Sequence, residues 1–314
     1  MVPFQSWKWI ILWCAIFGPL VSRGLNPTTT STLQSAEVDQ RLRVHIVPHT
    51  HDDSGWLKTV TQYYWGDRQE IQSAGVQYIL DSVAEALVAN PSRRFSYAEM
   101  SFLMRWWKLQ DEATKKVVKK LVKEGRLDFV NGGYVQHDEA ASHYIGMIDQ
   151  TTRGHRFLND TFGFVPRIGW QIDPFGHSST QAGLLGEELG FDAFFFGRAD
   201  HEDMARRKEE KTLEFLWRGS GGRASCDDGE KGAQGIFVGN FPSGNYGPPA
   251  GFNWEFRESS DSPIQDDPDM DGYNVPERVE DFVSRCYEIW NVTRGRDIML
   301  TMGSDFHYSN AHAW

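Results

Sequence analysis

The chain has 314 residues, 40% of them hydrophobic and 24% charged, with a net charge of −11. That describes a folded chain with room for one large domain or two ordinary ones. The acidic balance and the lack of a long basic block argue against nucleic acid as a partner. Aromatic residues make up 13% of the chain, including 12 Trp. A large core uses such residues, and so does a sugar-stacking platform, so composition leaves both readings open.

The first segment, MVPFQSWKWIILWCAIFGPLVSRG, carries one charge, Lys8, before an apolar run from Trp9 to Val21. That run has the length of a signal-peptide core and is short for a membrane span. Residues 1–24 therefore read as a signal peptide with its cleavage zone at Ser22–Gly24, and the competing reading is an uncleaved anchor. Residues 25–40 read as a disordered lead-in. Of the three cysteines, Cys14 lies in the leader, while Cys226 and Cys286 could pair in an oxidising compartment or stay free. Asn159 and Asn291 fit the N-glycosylation pattern, which suits a secretory route.

Beyond residue 40, β-prone runs alternate with helical patterns. RLRVHIVP (41–48) reads as a strand, 66–90 as a helix, and 94–100 as a second strand. DEATKKVVKKLVKE (111–124) is an amphipathic helix with Val117, Val118, Leu121 and Val122 as its stripe, stopped at Gly125. Strands at 126–131, 167–172 and 192–197 alternate with helices at 147–158, 180–189 and 201–211. Three more strand candidates are 213–217, 235–238 and 297–302. Residues 219–235, Gly-rich and charged, read as an exposed loop, and residues 241–274, rich in Gly, Pro, Asp and Ser, as either a long functional loop or a partly disordered segment. The alternation predicts an α/β domain with a mainly parallel sheet.

Acidic residues and histidines collect after the strands: HTHDDSGW after the first, Glu99 at the second, NGGYVQHDEA after the third, DPFGHSS after the fourth, GRADHED after the fifth, GSDFHY after the last. Parallel α/β folds place ligands at the carboxyl ends of their strands. A His/Asp site without Cys suits a divalent metal such as Zn²⁺. His51 and Asp53, two apart on an extended strand end, can face one side while Asp52 points away. A polar turn is the plainer account of that H-x-D. Pro174 holds Asp173 extended at a strand end, where it can face a cleft or cap the following helix. Asp305 has the same two readings, and carboxylates from different strands can serve as ligand, nucleophile or proton donor.

VPHTHDDSGW, GRLDFVNGGYVQHDEA, GWQIDPFGHSST, LEFLWRGS and MGSDFHYSNA, in this order, resemble glycoside hydrolase family 38, the retaining α-mannosidases, and within it the lysosomal, acid type. The resemblance runs from about Leu42 to the last residue. It implies a (β/α)7-barrel-type catalytic domain over 41–314 with one zinc ion. It also implies His51, Asp53 and Asp173 as metal ligands, Asp173 as nucleophile and Asp305 as general acid/base. Trp56, Arg198 and, in its loop, Tyr246 match sugar-contacting positions. The implied substrate is a mannose-containing oligosaccharide, and the implied place is the secretory route, in a lysosome or vacuole or outside the cell, with no stable membrane partner. The family's fourth zinc ligand, a histidine in a downstream QHHDG-type motif, does not occur in this sequence. The resemblance therefore leads us to expect a C-terminally truncated catalytic domain with impaired turnover. A non-catalytic remnant that binds another subunit, or another metal hydrolase such as a sugar deacetylase, are the alternatives.

Overall fold

A computed structural model describes residues 41–219, 235–255 and 261–313. The proposed signal peptide, the lead-in and Cys226 lie outside the described residues. Leu42 onward forms one compact unit. Its first strand, β1 (Arg43–Pro48), pairs in parallel with β8 (Asp297–Met302), with Arg43 opposite Asp297. Arg43 fastens that pair by donating Nε to Asp297 Oδ1 at 2.7 Å. β2 (Phe95–Tyr97) pairs in parallel with β3 (Leu127–Phe129). β4 (Ile168–Gln171), β5 (Ala193–Phe196) and β7 (Ile236–Asn240) run parallel, and β6 (Glu214–Trp217) adds to β7 antiparallel. Three small sheets result. A parallel bridge between His49 and Ser96 links β1 to β2, and the Asn131 amide donates to the Ile168 carbonyl between the end of β3 and β4. Every residue of β4 is buried, as expected of a strand covered on both faces.

Helices flank the strands. α4 (Glu112–Lys123) starts where the Asp111 side chain accepts from the Thr114 amide. It buries Val118, Leu121 and Val122, whereas Val117, included in the sequence stripe, faces solvent. α5 (Tyr144–Phe162) is longer than its sequence pattern and ends at Gly163 in the left-handed conformation. α6 (Ser179–Gly183) runs into a π-helical turn at Leu184–Glu188, and α7 is His201–Glu210.

Of the helix expected over 66–90, only α2 (Val76–Ala89) forms; residues 66–75 are a loop, and a short helix, α1 (Val60–Trp65), precedes them. Gly66 and Arg68 take positive φ, and the buried Lys58 ammonium donates to the carbonyls of Asp67, Gln72 and Ala74. Those carbonyls are therefore satisfied outside a helix. α3 (Met100–Leu109) begins where the second strand was expected to continue. α8 (Val275–Val292), with Pro276 in its first turn, is absent from the sequence reading. Asn159 on α5 and Asn291 on α8 are both exposed. No helix among the described residues is long and apolar enough to cross a membrane.

Two features of this packing are open to test. Gly154 lets α5 approach the loop after β3, and a Cβ there would lie 2.0 Å from the Gly132 carbonyl oxygen. Gly154→Ala should lower stability by about 1–3 kcal/mol, read as a fall in Tm. Asp128, half-buried on β3, has its pKa raised by burial from 3.8 to about 6. The native state then holds a proton that the unfolded chain releases, so stability falls as pH rises from roughly 4 to 6. Asp128→Asn should remove that fall and raise neutral-pH stability by ~2 kcal/mol, measurable by urea unfolding across that window.

Candidate active site

The β1–β8 ladder continues past both strands into the site. Gly303 passes so close to His49 that a Cβ there would lie 1.6 Å from the His49 carbonyl oxygen, a place only glycine can take. Beyond it the His51 amide donates to the Ser304 carbonyl at 3.1 Å and the Phe306 amide donates to the His51 carbonyl at 3.0 Å. This bridge sets His51 beside Asp305, although 254 residues separate them.

His51 Nε2 is buried with no hydrogen-bond partner. It lies 3.2 Å from Asp53 Oδ1, off the line of a hydrogen bond, and 3.9 Å from Asp173 Oδ2. One donor atom from each of His51, Asp53 and Asp173 falls within 4.8 Å of the others. An orphaned imidazole nitrogen facing two carboxylates fits a divalent metal cofactor. Neither His307 nor His312 joins this group among the described residues. Burial alone would lower the His51 pKa, but the adjacent Asp53 and Glu99 carboxylates outweigh it and raise it to about 9.

Asp52, between the two metal-capable residues, turns the other way. Its carboxylate accepts from Thr50 Oγ1 and from the Tyr97 hydroxyl, both at 2.9 Å, and is fully buried. Burial raises the pKa values of both Asp52 and Glu99. Gln136 ties this layer together. Its Nε2 donates to Glu99 Oε1 at 2.7 Å and lies 3.1 Å from His51 Nδ1, and its Oε1 accepts from the Ile172 amide beside Asp173. Tyr97, Glu99 and Gln136 escaped the sequence reading as partners, because each acts across elements. The one signal was the placement of Glu99 and Gln136 after strands.

Asp173 Oδ1 accepts from Arg198 Nε at 2.9 Å, Arg198 Nη2 at 2.7 Å and the Tyr246 hydroxyl at 3.1 Å. Asp173 Oδ2 is left toward His51. The same Tyr246 oxygen lies 2.6 Å from Asp305 Oδ1. Burial raises the Asp305 pKa, while Tyr246 and His51 oppose the rise. The Tyr246 phenol, pushed upward by burial and by both carboxylates, keeps its proton. One O–H can donate only once. With Tyr246 donating to Asp173, a protonated Asp305 can donate to the phenol oxygen. Trp56, on the loop after His51, is 59% exposed. The structure thus brings His51, Asp53, Asp173, Arg198, Tyr246 and Asp305 together and leaves Trp56 at the surface.

The glycosyl hydrolases family 38 N-terminal domain matches residues 41–314. The chain belongs to this family. Among its relatives, an alpha-mannosidase of Arabidopsis thaliana is 50% identical over 306 residues, covering 98% of this chain and 29% of that protein. The human lysosomal alpha-mannosidase is 48% identical over 276 residues, covering 87% of this chain and 26% of that protein. The chain thus spans less than a third of the length of these relatives. The solved alpha-mannosidase of Enterococcus faecalis V583 superposes with a TM-score of 0.58 at 16% identity, over 87% of this chain and 26% of that one. That likeness supports the mixed α/β fold with parallel strands.

For this family 38 domain, metal at His51 Nε2 puts the ring proton on Nδ1, 3.6 Å from Glu99 Oε1. At that distance the Glu99 carboxylate would favour the proton on Nδ1 by its charge rather than through a hydrogen bond. Glu99→Gln should weaken divalent-metal binding by about 10- to 100-fold, measured by isothermal titration calorimetry with the wild-type chain as reference.

Proposed function

We propose that this domain forms the catalytic site of a retaining α-mannosidase that removes terminal α-D-mannose from glycans, working in an acidic lysosomal or vacuolar compartment. The observation that carries the reading is the single Tyr246 hydroxyl bonded to both Asp173 and Asp305. Its two short contacts keep the facing carboxyl oxygens within about 6 Å, nearer the spacing of retaining glycosidases than that of inverting ones. Two acids so placed fit a nucleophile and a proton donor. The names of the relatives, alpha-mannosidases of plants and lysosomes, supply the sugar and the compartment.

In this reading the Asp173 carboxylate attacks the anomeric carbon while Asp305 protonates the departing glycosidic oxygen. A glycosyl ester on Asp173 results. Asp305, now ionised, takes a proton from water as that water attacks the same carbon, and the configuration is retained. Arg198 and Tyr246 hold Asp173 during both steps, and Trp56 offers a surface for the sugar. His51, Asp53 and Asp173 would hold zinc. When bound, zinc supplies Lewis-acid anchoring of sugar hydroxyls.

We also read the strand order β8-β1-β2-β3-β4-β5-β7 as a seven-stranded (β/α)7-type barrel with β6 as an outer addition. The His49–Ser96 bridge, the Asn131–Ile168 hydrogen bond and a bond from Thr301 Oγ1 to the Gly247 carbonyl support it.

The test is hydrolysis of 4-nitrophenyl α-D-mannoside at acidic pH by the purified chain, with and without zinc, beside Asp173→Asn. We expect zinc-dependent turnover that falls at least about 1,000-fold in the variant. A 2-fluoro-mannosyl fluoride should label Asp173, read by peptide mass spectrometry. Inverted product or a label elsewhere would overturn the mechanism. A folded, zinc-loaded chain without turnover would favour a non-catalytic, partner-binding domain.

A further inference from the structure

We propose that a buried His177–Glu139 couple positions Arg198, and through it Asp173; the consequence for turnover rests on the reading of Asp173 as nucleophile. His177 lies in the β4–α6 loop, Glu139 in the β3–α5 loop and Arg198 just after β5. The couple therefore pins three consecutive strand–helix loops to one another at the carboxyl ends of their strands.

The geometry is closed on every side. His177 Nδ1 is 2.9 Å from Glu139 Oε1, and His177 Nε2 is 3.0 Å from the Arg198 carbonyl oxygen. The His177 ring stacks on Phe196, with centroids 4.0 Å apart, and meets Phe194 edge-on. The second Glu139 oxygen accepts from the Ser178 amide at the start of α6. The two side chains are only 5% and 1% exposed.

Arg198, by contrast, is open to solvent along its side chain, 41% exposed. Besides Asp173, its guanidinium meets the Phe175 ring face, 4.7 Å from its central carbon, and the Tyr246 hydroxyl; the rest of its placement comes from its backbone. The backbone is the point His177 grips. Phe175 lies on the same turn as Asp173 and His177, so that turn holds Arg198 at both ends. An apolar pair would fill this space without burying ionisable groups, and a buried ion pair is poor value as a source of stability. What the couple adds is direction: it fixes a carbonyl oxygen in space, and with it the residue whose fork meets Asp173 Oδ1.

A double-variant cycle separates positioning from general support. We expect His177→Phe, which retains an aromatic ring but loses both ring-nitrogen contacts, to lower kcat by about 10- to 100-fold with KM within about 3-fold. In an Arg198→Met background the same change should cost less than about 2-fold more. Losses that multiply would overturn the proposal. A second readout needs no turnover: the ¹H–¹⁵N cross-peak of Arg198 Nε in the zinc-loaded chain, assigned by its loss in Arg198→Lys. It should be protected from exchange in the wild type and broadened or lost in His177→Phe. An unchanged peak would overturn the proposal even if the wild type proved inactive, an outcome that would count against the Asp173 reading alone. If His177→Phe fails to fold, Glu139→Gln carries both tests, with smaller changes in the same direction expected.

Discussion

Five carboxyl groups, from Asp52, Asp53, Glu99, Asp173 and Asp305, surround one imidazole and one guanidinium in this pocket. Two of them, Asp52 and Glu99, are fully removed from water, and the other three are partly exposed. Charges so confined are tolerable only when each is paired, hydrogen-bonded or neutralised. The fold meets that demand in layers. Asp52 is sealed by Thr50 and Tyr97, Glu99 is held by Gln136, and Asp173 is gripped by Arg198 and Tyr246. His51 Nε2 is buried without a hydrogen bond and faces two acids. The residual negative charge collects there, and that is where a dication fits.

The sheet supplies what local chemistry cannot. Parallel strands end together, so loops far apart in sequence deliver their side chains to one pocket. At its centre, backbone pairing does the placing. The Gly303–His49 contact and the His51–Asp305 bridge leave little freedom for the two acidic motifs that they join.

Much of this was legible in the residues. Strand–helix alternation and the recurrence of His and Asp after strands indicated a parallel α/β fold and the place of its site. The H-x-D spacing indicated that Asp52 would turn away from His51 and Asp53, as it does. Other features had no local signature. The loop over 66–75 is non-helical because Lys58, outside it, takes three of its carbonyls. α8 is the exception: Val279, Phe282, Val283, Cys286 and Trp290 recur at helical spacing, a stripe that the sequence carried and the strand–helix alternation passed over. The Glu99–Gln136 and His177–Glu139 contacts join residues 37 and 38 positions apart. Spacing within one element cannot reveal them.

The pairing of β1 with β8 also has a meaning in time. The first strand of this domain emerges from the ribosome some 250 residues before its partner exists. At ordinary synthesis rates that interval is on the order of tens of seconds. Throughout it, β1 presents an unpaired edge, and the histidine and aspartates that follow it have no fixed surroundings. The His51–Asp305 pairing can form only as β8 arrives. A nascent chain of this kind has reason to need a chaperone at its N-terminal strand until synthesis reaches β8.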